Sequence, residues 1–276
     1  MTRNTKDQID SSGRPTASVQ WCSAEALLTD IHHVLLPCGV LLDVGCGIKP
    51  QRYVRPIVHI CCDPFQQYVE KLQEIIATEK DRIYVVVKAT WDEAVRMFPP
   101  NSVDTVFLLD VVEHLEKEEG KRLLAQTERI ARRQIVVFTP LGFMPQYHKD
   151  GKDAWGLDGA DLQEHKSGWV PEDFGDGWQI IAAKEFHMAD NLSRPLENPF
   201  GAFWAIKTHP SVENGEVLTR EHVLRNIEAE FSQKQTVLGQ KEAVLHQKEM
   251  EINSLIFARI ERKIRRTLRK FSANKR

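Results

Sequence analysis

Short apolar runs alternate along the chain with stretches in which apolar residues recur at helical spacing. Runs of strand length lie at 40–44, 58–62, 83–87, 103–109 and 134–138. Helices are predicted over 19–36, 65–78 and 117–131. Fully apolar short strands separated by helices are typical of a parallel sheet covered on both faces, so the pattern predicts an α/β fold.

This alternation breaks after Pro140. Residues 141–177 are rich in Gly, Pro, Asp and Trp, with little periodicity, which is typical of a functional or a disordered segment. Two more strands are predicted at 178–185 and 200–207. The predicted organisation comprises a disordered lead-in, a globular domain, a helical segment and a basic helix, at 1–18, 19–210, 211–255 and 256–276.

The helical segment carries an apolar residue at every seventh position, at Leu224, Phe231, Leu238, Leu245 and Ile252. A coiled coil needs a second apolar residue in each heptad, and lysines occupy most of these second positions. The coiled-coil signal is therefore weak. A homodimer formed through 220–255 and a single helix docked on the globular domain both remain open.

Charge is distributed unevenly although the whole chain carries only −2. Nine Lys and Arg against one Glu give residues 257–276 a charge of +8, which leaves −10 on the rest. On a helix, Phe257, Ile260, Ile264, Leu268 and Phe271 fall on one face and the basic residues on the others. This pattern favours an anionic membrane surface as the partner of 256–276. A nucleic acid is disfavoured because the apolar face has no use on a phosphate backbone, and an intramolecular helix contact stays open.

The five cysteines include no C-x-x-C pair, and no run of 18 apolar residues occurs. We therefore expect reduced thiols, no metal site, no membrane-spanning helix and a cytoplasmic protein, which could be peripheral on the membrane.

The most informative segment is a strand that ends in D-x-G-x-G, with Asp43, Gly45 and Gly47. The glycines let the backbone turn tightly beside a ligand at the carboxyl end of the strand. Asp63 ends the next strand, where an acid accepts hydrogen bonds from ribose hydroxyls. Pro50 stands where a dinucleotide fingerprint requires its third glycine, so the pattern indicates a nucleoside ligand other than NAD. An ordinary tight turn is the alternative.

These motifs, followed by 104–115 (DTVFLLDVVEHL) and 136–140 (VVFTP), resemble the class I S-adenosylmethionine-dependent methyltransferases of the type 11/12 group. The resemblance covers about 38–207. It implies a Rossmann-like seven-stranded sheet with an antiparallel last strand, and S-adenosylmethionine as the cofactor. It assigns the methionine moiety to Asp43, Gly45 and Gly47, the ribose to Asp63, and the surroundings of the amino-acid part to Asp110.

One departure lies after the third strand, where the family often has an acid that holds the adenine amine. The sequence there reads Lys88-Ala89-Thr90-Trp91. Thr90, Asp92 or a backbone carbonyl must substitute. Trp91 either covers the adenine ring or is a core aromatic.

Methyl transfer to an oxygen usually needs a general base, for which histidine is suited near neutral pH. The candidates are His165, His148 and His114, with His165 favoured; each could instead be a surface or capping residue. His32 and His33 fall in the leading helix and are interpreted as structural. Glu113 is expected to orient a neighbour or cap a helix.

Three tryptophans and four acids in or beside the irregular segment suit the stacking and hydroxyl contacts of a sugar. They are Trp155, Trp169, Trp178, Asp150, Asp153, Asp158 and Asp161. The alternative is a covering segment that packs its tryptophans inward and exposes its acids.

Together these features suggest O-methylation of a sugar, or of a lipid-linked glycan, at the cytoplasmic face of a membrane. In layout the chain resembles bacterial methyltransferases of surface-polysaccharide synthesis. The alternatives are a methyltransferase of a small soluble metabolite or a quinone-type lipid, a non-catalytic binding module of the same fold, and an NAD oxidoreductase.

Overall fold

A computed structural model describes residues 18–146, 148, 150–209 and 241. The contacts divide the chain into two units, Met1–Val217 and Leu218–Arg276, and the description below concerns the first. The predicted lead-in up to residue 17, the heptad segment and the basic helix at 256–276 lie outside the described residues, Lys241 excepted. Among the described helices, none is long and apolar enough to cross a membrane.

Eight strands form one sheet flanked by helices. The strands are β1 (Ser18–Trp21), β2 (Val40–Val44), β3 (Val58–Asp63), β4 (Ile83–Lys88), β5 (Val103–Leu109), β6 (Ala131–Pro140), β7 (Trp178–Ala189) and β8 (Pro195–Thr208). The helices are α1 (Ala24–Asp30), α2 (Gln66–Ile76), α3 (Trp91–Met97) and α4 (Lys117–Ile130). Short 3-10 turns lie at Ile31–His33, Val112–His114, Ala160–Leu162 and Pro171–Asp173.

The strand order across the sheet is β1-β7-β8-β6-β5-β2-β3-β4. Strands β2 to β6 pair in parallel, whereas β8 runs antiparallel to both β6 and β7. The order reverses at β2 and β5, and ligands of open α/β sheets bind at such a reversal, beyond the carboxyl ends of the strands. The predicted α/β fold with a Rossmann-like sheet and an antiparallel last strand is confirmed.

The predicted helix over 19–36 is wrong at its start. Residues Ser18–Trp21 form β1, which pairs in parallel with β7 and adds an eighth strand to the expected seven. The helix begins only after Ser23, whose side chain accepts a hydrogen bond from the backbone N–H of Ala26. A free sheet edge at β7 lets Val19 and Trp21 extend the ladder, and this tertiary pairing outweighs a weak helical periodicity.

Both faces of the sheet are buried. On one face, Leu42, Val106 and Val137 pack with residues of α3 and α4; on the other, Leu41, Phe107 and Trp204 pack with Leu27 of α1. Complete burial explains why the central strands read as continuous apolar runs. The rigid sheet therefore fixes the residues that leave its carboxyl edge.

Candidate active site

The turn after β2 depends on its two glycines. Gly45 has φ +66° and Gly47 has φ +54°, a left-handed backbone that other residues rarely adopt. A Cβ on Gly45 would lie 2.9 Å from the Val111 side chain, and one on Gly47 would lie 2.5 Å from the Trp155 ring. The turn thus brings bare backbone to the edge of a cavity.

Asp63 ends β3 beside this turn and is 5% exposed. Its carboxylate accepts hydrogen bonds from the backbone N–H groups of Gly47 at 3.0 Å and Phe65 at 2.9 Å. Burial raises the pKa of the carboxyl to about 6, and the two N–H bonds only partly oppose this rise. A buried carboxylate that retains free lone pairs is suited to hydroxyl donors.

Asp63 lines a narrow cavity of about 150 Å³. Apolar side chains form much of its wall, and polar groups stand at its ends. The apolar members include Val44, Ala89, Trp91, Val111 and Leu115. A flat apolar ring joined to a ribose matches this combination of walls and acid.

Thr90 and Trp91 have different roles in the structure. The Thr90 hydroxyl accepts a hydrogen bond from the Glu93 N–H at the start of α3, and the Glu93 carboxylate in turn accepts the Thr90 N–H and hydroxyl. This capping box gives Thr90 a structural task away from the cavity wall. Trp91 lies on the wall, half-buried, while it also packs against the core.

Asp43 does not line either cavity described here. It is buried, and its Oδ2 accepts the Gln51 N–H at 2.8 Å and lies 3.0 Å from Nε2 of His59. Burial lowers the pKa of His59, but the Asp43 carboxylate outweighs it and holds this pKa at about 9. Asp43 thus anchors the loop from Gly45 to Gln51 through its hydrogen bond with the Gln51 N–H.

A second, wider cavity of about 740 Å³ adjoins the narrow one. The two share Gly45, Asp110, His114 and Gln163. The wide cavity collects side chains from five separate parts of the chain, and most of them are polar. These include His32, Lys49, Arg52, Tyr53, Gln146, His165, His187, Asp190 and Asn191.

Asp110 stands where the two cavities meet. It follows β5 directly, with φ +51°, a conformation tolerated by Asp but costly for most residues. Asp110 is exposed at this junction, and desolvation by the protein around it raises the pKa of its carboxyl to about 6. Its neighbour Glu113 is fully buried, and burial together with the Asp110 charge raises the pKa of Glu113 well above the usual range.

His114 and His165 meet at the same junction, with ring centroids 4.8 Å apart. Nδ1 of His114 lies 3.1 Å from the Glu164 carbonyl, and Nδ1 of His165 lies 2.5 Å from the Met144 carbonyl. Burial lowers the pKa of both, that of His114 to about 4 with a further contribution from His165. His148 interacts electrostatically with both rings. The structure therefore brings His114 and His165 together, whereas His148 lines neither cavity.

The expectation that three tryptophans stack on a sugar is wrong for two of them. Trp169 is 0% exposed under Gly120, and Trp178 is buried in the core beside Phe174. Only Trp155 reaches the cavities, where it covers Gly47 and packs edge-on against Tyr68 at 4.9 Å. The positions of these three tryptophans along the chain do not show which of them reaches a cavity.

The acids of the same segment also divide. Asp153 is buried and accepts hydrogen bonds from the Tyr68 hydroxyl at 2.5 Å and from the N–H groups of Trp155 and Leu157. Asp158 forms an exposed ion pair with Lys152. Neither lines a cavity, so these two acids shape or solvate the segment instead of facing an acceptor.

Several wall residues were absent from the sequence prediction. Tyr53, Gln146, Gln163, His187, Asp190 and Asn191 reach the wide cavity from loops and from the β7–β8 hairpin. His32, interpreted as structural, also lines it. No local motif marks these residues, because only the folding of distant segments onto the sheet edge brings them together.

No protein-family profile matches the sequence, and no curated protein matches it. Several solved structures are similar to parts of the chain, among them the following three. Magnesium protoporphyrin IX methyltransferase from Synechocystis PCC 6803, with bound SAM, is 17% identical over 67% of this chain and 76% of its own, with a TM-score of 0.38. A SAM-dependent methyltransferase from Archaeoglobus fulgidus is 18% identical over 68% and 95%, with a TM-score of 0.41. TehB from Haemophilus influenzae is 14% identical over 65% and 61%, with a TM-score of 0.46.

Proposed function

We propose that this chain is an S-adenosylmethionine-dependent methyltransferase that methylates a hydroxyl oxygen of a sugar or glycan. The observation that carries the proposal is the meeting of two cavities of different character at Gly45, Asp110 and His114. One has a buried acid and apolar walls, and the other is wide and polar. A group-transfer enzyme needs this contact between a donor site and an acceptor site.

The narrow cavity fits the nucleoside of the cofactor. The Asp63 carboxylate would accept the ribose hydroxyls, and Trp91, Ala89 and Leu115 would flank the adenine. Gly45 and Asp110 lie where the cavity opens into the wider one, on the path of the methionine part. When bound, the cofactor supplies an activated methyl group on a sulfonium, and the acceptor oxygen loses its proton as it takes that methyl group.

The wide cavity favours a polyhydroxylated acceptor. Its wall presents amides, imidazoles, a phenol and carboxylates, among them Tyr53, Gln146, His187 and Asp190. Such groups exchange hydrogen bonds with hydroxyls and would be left unpaired around a quinone-type lipid. A small soluble metabolite that carries hydroxyls remains the nearest alternative.

The membrane part of the proposal depends on the composition of 256–276. Nine basic residues on a helix with an apolar face would bring the enzyme to an anionic leaflet. A lipid-linked glycan would then be presented where the enzyme resides.

Cofactor binding is tested first, by calorimetric titration of S-adenosylhomocysteine into the full-length protein. Micromolar binding that is lost in Asp63→Ala and kept in Asp176→Asn, an exposed acid, supports the proposal. Absence of binding to the wild-type protein would overturn it. Binding without any methyl transfer would instead favour the non-catalytic module.

The acceptor is tested with methyl-labelled cofactor and fractionated extract of the host cells. We expect label in lipid-linked or polymeric saccharide. Label confined to small soluble molecules would contradict the glycan assignment and keep the methyltransferase assignment. Loss of label on deletion of 256–276, restored by a detergent-solubilised acceptor, would connect the basic helix with the membrane.

A further inference from the structure

The junction of the two cavities contains a group of side chains with the composition of a metal site. Glu113, His114 and His165 each offer one ligand atom, and these three atoms all lie within 4.8 Å of one another. One carboxylate and two imidazoles are a common ligand set for divalent transition metals in enzymes, which leave further coordination positions open.

Both imidazoles are oriented as ligands usually are. The Nδ1 of His114 faces the Glu164 carbonyl, and the Nδ1 of His165 faces the Met144 carbonyl. Each Nδ1 must donate to its carbonyl, so each Nε2 carries a lone pair; in His165 this lone pair faces the Gln146 amide nitrogen at 2.9 Å. A backbone carbonyl behind a histidine is the arrangement that fixes the tautomer of metal-binding imidazoles.

The carboxylate is held in a similar way. Oε2 of Glu113 accepts the Thr139 hydroxyl at 3.1 Å, whereas Oε1 is buried and has no hydrogen-bond partner among the residues that the structure describes. A buried carboxylate oxygen without a partner is costly. The side chain of Asp110 interacts with Glu113, and two acids in one region disfavour a second negative charge there. A cation would offset both costs.

His148 gives an additional sign of a missing ligand. Both of its ring nitrogens are buried and lack hydrogen-bond partners within the described part of the chain. It interacts electrostatically with His114 and His165. Its nitrogens lie outside the group of three ligand atoms, so His148 is not among the proposed ligands, but two unsatisfied buried nitrogens near this group call for an explanation.

The backbone locks the group in place. The N–H groups of Lys166 and Ser167 donate to the Glu113 carbonyl at 2.8 and 3.1 Å. The Ser167 hydroxyl donates to the Leu115 carbonyl and accepts the indole N–H of Trp169. This network holds His165 against the turn that carries Glu113 and His114, so the ligand geometry is preformed.

We propose that Glu113, His114 and His165 bind a divalent transition-metal cation at the junction of the two cavities. His114 and His165 both line the wide cavity, which gives the ion a way in and directs its open positions towards the acceptor. The Gln146 amide, whose nitrogen lies 2.9 Å from Nε2 of His165, would move aside. In the proposed methyltransferase, on which this role rests, the cation would bind the acceptor oxygen and lower its pKa, so that the hydroxyl proton leaves to cavity water.

Metal binding is measured on the full-length protein after treatment with a chelator, by titration with Zn²⁺ and Mn²⁺. We expect one ion per chain, and affinity at least about tenfold lower in His165→Gln and in Glu113→Gln. His32→Gln is the matched control, because His32 lines the same cavity outside the group. Titration with Co²⁺ would add visible absorption bands that His165→Gln removes.

Glu113 is buried, so Glu113→Gln is assayed for folding by its affinity for S-adenosylhomocysteine; if it is unfolded, His165→Gln and His114→Gln decide. No binding to the wild-type protein, or equal binding to wild type and to these variants, would overturn the metal site and leave His165 as a base acting alone. Metal binding without methyl transfer to any acceptor would leave the metal site standing and contradict the proposed function.

Discussion

The narrow and the wide cavity are built in different ways. Many residues of the narrow cavity follow strand ends closely: Gly45 after β2, Asp63 at the end of β3, Ala89 after β4 and Asp110 after β5. The wall of the wide cavity adds the 3-10 turn at Ile31–His33, the loop after β2, residues 144–165 and the β7–β8 hairpin. The sheet edge fixes the residues named for the first, which Leu162, Gln163 and Lys166 complete, whereas the second requires distant segments to be packed in place.

This difference predicts which mutations affect each cavity. Residues at strand ends move only if the sheet moves, so changes in residues 141–169 that do not line the narrow cavity should spare cofactor binding. The wide cavity depends on anchors such as Trp169, which ties residues 164–169 to the body of the domain. Mutations can therefore separate the two halves of the site.

The largest effect is expected for Trp169→Ala. Trp169 is fully buried and touches Gly120, and the Lys117 ammonium lies over its ring, 3.9 Å from the centroid. Removal of a buried tryptophan costs about 3–5 kcal/mol of unfolding free energy. Chemical denaturation measures this loss. S-adenosylhomocysteine affinity should stay within about threefold in the folded variant, and a much larger loss would show that the two cavities are not independent.

Asp63→Asn comes next. The asparagine keeps the shape but loses the charge that strengthens hydrogen bonds from ribose hydroxyls, which is worth about 1.5–3 kcal/mol. Calorimetry should show S-adenosylhomocysteine binding about 10–100-fold weaker. Trp169→Phe, an apolar change in the other half, is the contrasting variant. Unchanged affinity in Asp63→Asn would contradict a hydrogen bond between the ribose hydroxyls and this carboxylate.

Gly47→Ala tests the contact between the glycine turn and the segment above it. The added methyl group would meet Trp155 at 2.5 Å, and φ +54° strains any residue with a Cβ, so about 1–2 kcal/mol is expected. We expect weaker S-adenosylhomocysteine binding. The double variant with Trp155→Ala should recover the steric part of the loss and keep the part that comes from backbone strain.

The smallest effect is a pH dependence. The pKa of Asp63 in the free protein is about 6, so the carboxyl is ionised at pH 8 and increasingly protonated below pH 6. Because the bound form needs the carboxylate, affinity for S-adenosylhomocysteine should fall about tenfold from pH 8 to pH 5. The dependence of affinity on pH should vanish in Asp63→Asn. A pH dependence that persists in this variant would be assigned to Asp110.

Sequence reasoning was most accurate where a residue and its neighbours along the chain determine the outcome. The central strands are apolar because both faces are buried, and D-x-G-x-G marks a tight turn because few other residues adopt its backbone. It was least accurate where partners lie far apart. Ser18–Trp21 became a strand only because β7 offers an edge, and Trp169 and Trp178 were drawn into the core.

The three histidines show what the sequence can identify and what requires the tertiary structure. Their residue type and their place after the fourth and fifth predicted strands nominated them from the sequence. The convergence of His114 and His165 with Glu113, and the carbonyls behind these two histidines, came from long-range packing. The sequence by itself determined the α/β alternation and the position of Asp63 at a strand end, because strands and their ends follow from local patterns. The tertiary structure alone decided the wide cavity, because its walls are far apart along the chain and meet only when buried packing brings them to one edge of the sheet.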